Sequence, residues 1–192
     1  MFELSDYPIF ENHKGSLKEA SKDDHDGVIS YMTESLYQVV LFDEVKDEYV
    51  EGLKLATKPK SNDALLALPD GRLVFVEFKN GYMDKEKQFG VRKKIYDSLL
   101  IFADITQKGI SYTRADMDYV LVYNEERNPN QAVDAKTQVR SSASRDEIAN
   151  RLTELGGETY VKFGLDIFKN YCFKNVFVYN KHQFEERFIA NL

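Results

Sequence analysis

Residues 63–79 read Asp-Ala-Leu-Leu-Ala-Leu-Pro-Asp-Gly-Arg-Leu-Val-Phe-Val-Glu-Phe-Lys. Two apolar runs, 63–68 and 72–79, flank Pro69-Asp70-Gly71. A three-residue hairpin loop commonly takes a type I turn followed by a left-handed residue, and Pro, Asp and Gly in that order suit its three positions. If Leu68 pairs with Arg72, the register sets Asp63 directly across from Glu77. Side chains alternate along a strand, so Lys79 shares the Glu77 face. Both strands are apolar on both faces, which predicts central strands covered on each side. Three ionisable groups thus converge at one end of an apolar hairpin. An Asp and a Glu so placed suit a hard divalent cation such as Mg²⁺. Without a cation they repel and raise one pKa, a repulsion that Lys79 or a metal would relieve.

Working outward, residues 11–26 are polar and are expected to form an exposed lead-in. From Asp26 the spacing of Val28, Met32, Leu36 and Val39 or Val40 predicts a helix. The acidic segment 43–51 either continues that helix or breaks it. After the hairpin, Asn80-Gly81 signals a turn. Val91, Ile95, Leu99 and Phe102 then mark the buried side of a helix over about 85–104. Residues 117–123 read as a third strand, 124–143 as a long polar loop, and Ser144 to Glu147 has capping-box spacing that opens a helix ending near Gly156-Gly157. A short apolar helix over 165–171 and a strand over 175–179 complete the pattern. The fold class is α/β (α+β), with a mixed central sheet flanked by helices.

A chain of 192 residues is expected to form one domain, 1–192, and is long enough to bury a core without disulfides. Its single cysteine, Cys172, excludes an intrachain disulfide and reads as a small core residue. His13, His25 and His182 show no ligand spacing. No apolar run approaches a membrane span, and the first residues carry acids where a leader would carry Lys or Arg. A cytoplasmic location is the expectation. The net charge is −6, yet residues 54–94 hold ten Lys/Arg against five Asp/Glu. One basic stretch in an acidic chain points either to a polyanion partner or to a solvated lysine-rich face.

The pattern of Asp63, thirteen intervening residues and Glu77-Phe78-Lys79 resembles the active-site motif of the PD-(D/E)xK nuclease superfamily. The resemblance covers about residues 26–123 and implies a restriction-endonuclease-like core. It also implies metal-dependent hydrolysis of phosphodiester bonds, in DNA before RNA, with Mg²⁺ or Mn²⁺ as cofactor. Asp63 and Glu77 would hold the ion, with the backbone carbonyl of Phe78 as a further ligand. Lys79 would position or help deprotonate the attacking water and stabilise phosphate charge. Members draw a further acid from the first helix, for which Glu34 is the candidate and Glu48 the second choice. Gln88, Arg92, Lys93 and Lys94, on the following helix, would reach the phosphate backbone and supply sequence-independent binding. For Lys93 and Lys94 a solvated helix face is the favoured alternative. Tyr82 and Tyr96 are candidates for base stacking. The chain departs from the pattern at Asn62, where a proline often stands.

Two other readings use the same residues. The acidic N-terminal region suits a non-catalytic protein of nuclease-like fold, acting through a homodimer or a partner. A hydrolase acting on nucleotides or other phosphate esters would need the same acids and lysine.

Overall fold

The computed structural model describes residues 2–25, 27–129 and 162–192. A six-stranded mixed sheet forms its centre, flanked by helices on both faces, an α+β arrangement. In chain order the strands are β1 (Lys14–Ser16), β2 (Lys22–His25), β3 (Val28–Tyr31), β4 (Gln38–Leu41), β5 (Ala64–Ala67), β6 (Leu73–Lys79), β7 (Met117–Tyr123) and β8 (Asn175–Asn180). The α-helices are α1 (Pro8–Asn12), α2 (Leu17–Ala20), α3 (Phe42–Tyr49), α4 (Lys85–Thr106), α5 (Ile110–Asp116) and α6 (Lys181–Arg187). The sheet order is β1-β4-β5-β6-β7-β8, antiparallel from β1 to β6 and parallel from β6 to β8. β2 and β3 form a separate two-stranded ribbon.

The hairpin forms in the expected register, with Ala64 opposite Val76 and Ala67 opposite Leu73. Leu68 N–H donates to the Arg72 carbonyl at 2.7 Å, and Gly71 takes a φ of +84°. Such a φ strains any residue with a Cβ, so glycine closes the loop at least cost. Helix α4 and strands β7 and β8 also stand where periodicity placed them, and α4 starts on Asp84, whose side chain accepts from Lys87 N–H at 2.8 Å. The parallel β6–β7 pair requires a crossover, which α4 and α5 provide.

Three expectations are corrected. The helix from Asp26 does not form: β3 and β4 occupy this stretch. Val28 and Leu36 are exposed, so the spacing marks no continuous apolar stripe. Val39 and Val40 are both buried but in opposite cores, which adjacent residues achieve in a strand and not on one helix face. The helix begins instead at Phe42, and α3 carries most of the acidic segment 43–51. The second correction concerns 11–26. This is no exposed lead-in, because β1 pairs with β4, Leu17 is buried, and Ser16 and Glu19 form a capping box at the start of α2. The short helix expected over 165–171 is a 3₁₀ turn, Asp166–Phe168. The helix expected near 144–156 and most of the 124–143 loop lie outside the described residues.

Each face of the sheet covers its own core. Leu73, Phe75, Tyr119 and Leu121 pack beneath α1, α3 and α4, meeting Phe10, Phe42, Val91, Ile95 and Phe102. Val74, Val76, Phe78, Val120 and Val122 face Leu17 and Phe184 on the other side. Cys172 is buried in the first core. Among the described residues no helix is long and apolar enough to cross a membrane.

Phe75 is the hub of the first core. Its ring stands edge-on to Phe42 at 4.9 Å, to Phe102 at 6.1 Å and to Phe173 at 6.5 Å. Phe75→Ala should cost about 3–5 kcal/mol through lost burial and the cavity left behind. Urea unfolding should show a lower midpoint at unchanged slope.

Candidate functional site

The sequence Glu77-Phe78-Lys79 ends β6 at the edge of an open cleft of about 1090 Å³. Asp63, Phe78, Lys79 and Lys94 line its floor. Asp63 lies one residue before β5, where the ladder stops. Its backbone carbonyl accepts from Phe42 N–H at 3.0 Å on the β4 side. Its side chain turns to β6 and accepts from Phe78 N–H at 2.6 Å. A strand residue directs its N–H and C=O to the same neighbour, so the Phe78 carbonyl also faces the Asp63 side.

Glu77 is fully buried. Lys79 pairs with its Oε1. A second ammonium completes the cluster. Lys94 Nζ lies 2.8 Å from Asp63 Oδ1, 2.8 Å from Glu77 Oε1 and 3.0 Å from Glu77 Oε2. Two carboxylates and two ammonium groups thus meet in one small volume. Burial raises the Asp63 pKa, and repulsion from Glu77 adds to this, against the opposing pull of Lys94 and Lys79. Burial alone would lower the Lys94 pKa, but Glu77 and Asp63 outweigh it and raise the value. Lys94 therefore stays a cation. Tyr119 lies beneath the cluster, with its hydroxyl pKa raised by burial and by the charges of Glu77 and Asp63.

Sequence reasoning placed Lys94 on the phosphate-binding face. The structure turns it inward, to the carboxylates. The signal was present in the helix period: Lys94 follows Val91 by three and precedes Ser98 by four, and both neighbours are buried. The other three α4 residues take separate places. Gln88 Nε2 donates to the Met83 carbonyl at 3.0 Å, and Arg92 donates to the Gly164 carbonyl at 3.3 Å. Lys93 pairs with Asp97 at 2.5 Å on a side chain 43% exposed.

The first-helix acid is not where the sequence suggested. Glu34 lies outside any helix, 77% exposed, and pairs with Lys18 at 2.5 Å. Glu48 stands on α3 but faces His13 Nε2 at 2.7 Å. The α3 acids that line the cleft are Asp43 and Glu44, which periodicity did not single out because the helix start was misplaced. Asp43 accepts from the Ser61 hydroxyl, which ties α3 to the segment leading into Asp63. At Asn62 the departure from proline has a physical role. Its N–H donates to Ser98 Oγ at 2.8 Å, a bond proline could not make. Tyr82 is exposed on the cleft lining, whereas Tyr96 stacks edge-on against Phe168 at 5.3 Å.

The cleft wall on the far side comes from the β2 segment, where Asn80 Nδ2 donates to Asp23 Oδ2 at 2.8 Å. Asn124 Nδ2 donates to Asn80 Oδ1 at 2.8 Å, and Asn128 Oδ1 accepts from Met83 N–H at 2.8 Å. These bonds fix the turn between β6 and α4, and with it the rim beside Lys79.

A divalent ion of the kind the resemblance implies meets a donor set of two carboxylates and a carbonyl. Among the described residues, no three His, Cys, Asp or Glu side chains come together in ligand geometry. Mg²⁺ retains several waters and needs only one or two carboxylates from the protein, so these oxygens fit it. The fit requires the Lys94 ammonium to leave. No known protein family, curated protein or solved structure matches the chain.

Removing one partner of a buried charge cluster leaves the others uncompensated. Lys94→Ala should therefore destabilise the protein by about 3–5 kcal/mol, whereas Lys93→Ala, on an exposed pair, should cost under about 1 kcal/mol. Equal losses in urea unfolding would mean that Lys94 does not serve the carboxylates.

Proposed function

We propose that the chain is a metal-dependent phosphodiesterase of the PD-(D/E)xK type, acting on nucleic acid with DNA the first substrate to try. The observation that carries this reading is the convergence of Asp63, just before β5, with Glu77 and Lys79 on β6: Asp63 and Lys79 line an open cleft, and Glu77 is buried against them. Asp63, Glu77 and the Phe78 carbonyl would hold the ion. When bound, a Mg²⁺ ion lowers the pKa of a water and polarises a phosphoryl oxygen.

The remaining work falls to the chain's own residues. Lys79 hangs from a rigid, doubly covered strand, and its 24% exposed side chain reaches the cleft. From there its ammonium can donate to a non-bridging phosphate oxygen and orient an attacking water, a preorganised positive charge where negative charge develops. Lys60 and Lys87 also line the cleft and can contact flanking phosphates. The rim is mixed, since Asp43, Glu44, Asp84 and Glu86 line the same cleft. Such a rim suits close reading of one strand more than broad electrostatic capture of duplex.

A second reading is supported by Lys94. Its pairing with both acids makes the cluster self-sufficient, as in a non-catalytic protein that keeps the fold for partner binding. Cleavage assays on single- and double-stranded DNA and RNA with Mg²⁺ or Mn²⁺ separate the two. Glu77→Ala and Lys79→Ala should each lower the rate by about a hundredfold or more, with Lys93→Ala close to wild type. Wild type inert on every polymer would select the non-catalytic reading.

A further inference from the structure

Lys94 Nζ bridges both carboxylates at 2.8 Å, on the oxygens that would otherwise share a divalent ion. We propose that Lys94 is a built-in competitor for that ion: it closes the Asp63–Glu77 pair in the metal-free protein and must swing into the cleft before a divalent cation is seated. The choice of a divalent cation rests on the functional reading above.

Three observations carry the inference. The first is space. Metal–oxygen distances for Mg²⁺ are near 2.0–2.1 Å, so an ion shared by Asp63 and Glu77 would overlap an ammonium that already donates to Asp63 Oδ1 and Glu77 Oε2 and lies 2.8 Å from Glu77 Oε1.

The second is charge. With Lys79 and Lys94 in place the four-residue cluster carries no net charge with which to draw a dication. With Lys94 withdrawn, two carboxylates and one ammonium remain, and the cluster attracts one.

The third is a way out. The cleft-lining α4 residue one turn before Lys94 is Gly90, which has no side chain to block the path. Lys94 itself lines the cleft with its side chain 18% exposed, so rotation about its own bonds brings the ammonium to solvent without moving the helix. There it joins Lys60, whose Nζ lies 3.6 Å from the position a Gly90 Cβ would take. Metal loading would thus convert an internal ion pair into a cationic wall for a phosphate. Lys79 does not share this behaviour, because among the described residues it pairs with Glu77 and not with Asp63, and it extends from a strand.

The test is binding of Mn²⁺, followed by the paramagnetic resonance signal of the free ion, to wild type, Lys94→Met and Lys94→Arg. Lys94→Met should bind Mn²⁺ at least about tenfold more tightly than wild type. Lys94→Arg, which keeps the charge, should show no gain. Adding Asp63→Asn to Lys94→Met should abolish the site. If Lys94→Met lacks a melting transition without metal, its recovery on adding Mn²⁺ supports the proposal in the same way, and no recovery overturns it. Equal affinity in wild type and Lys94→Met, at a site lost with Asp63→Asn, overturns the competitor role and leaves the phosphodiesterase reading intact. Absence of Mn²⁺ binding to both proteins overturns the two together. A gain in Lys94→Met with no cleavage of any polymer by wild type supports the competitor and defeats the phosphodiesterase.

Discussion

A carboxylate buried away from water is costly unless a cation lies against it, and Glu77 is such a group. Two ammonium groups meet the requirement, Lys79 from the same strand and Lys94 from α4. The second contact ties the helix to the sheet by charge as well as by oil. For Lys94 to reach Glu77, α4 must lie across the hairpin with one rotation about its axis. That same rotation buries Val91, Ile95 and Leu99 in the first core. The apolar stripe and the ion cluster therefore specify one docking of α4, and neither could be satisfied alone.

The hairpin supplies the other half of the cluster. Its register follows from the length of the turn, and a slip by one residue would send Glu77 to the opposite face. Asp63 then caps the Phe78 N–H that the departing strand leaves unpaired. The cluster opens at the carboxyl end of β6, beside the start of α4. Crevices at that end of parallel strands are favoured binding places in open α/β sheets, and the cleft here lies in that position. The turn bonded by Asn124 and Asn128 holds the rim in place.

The basic stretch between residues 54 and 94 takes on a different meaning once its charges are placed. Arg72 pairs with Asp70 and Asp118, Lys93 with Asp97, Lys79 with Glu77, and Lys94 with both site acids. Much of the local excess is thus answered by acids within the fold. Lys60 and Lys87 remain on the cleft wall. Charge counted along the chain overstates what a polyanion would meet at the surface, since pairing in space is blind to sequence order.

The motif hairpin, α4, β7 and β8 were legible from local patterning, and so was the facing pair Asp63 and Glu77. Each follows from short-range rules: turn chemistry, a period of two in strands and a period of 3.6 in helices. What failed was 26–40, where valines at helical spacing belong to two strands of different sheets. Val39 and Val40 are buried on opposite faces, and only the presence of two cores tells this from one helix stripe. Glu34 went astray with the helix that was to carry it. The sequence by itself determined which acids face each other, because they sit on one hairpin whose turn sets the pairing. Only the tertiary structure decided that Lys94 joins them, because the contact spans two elements whose packing angle no local pattern records.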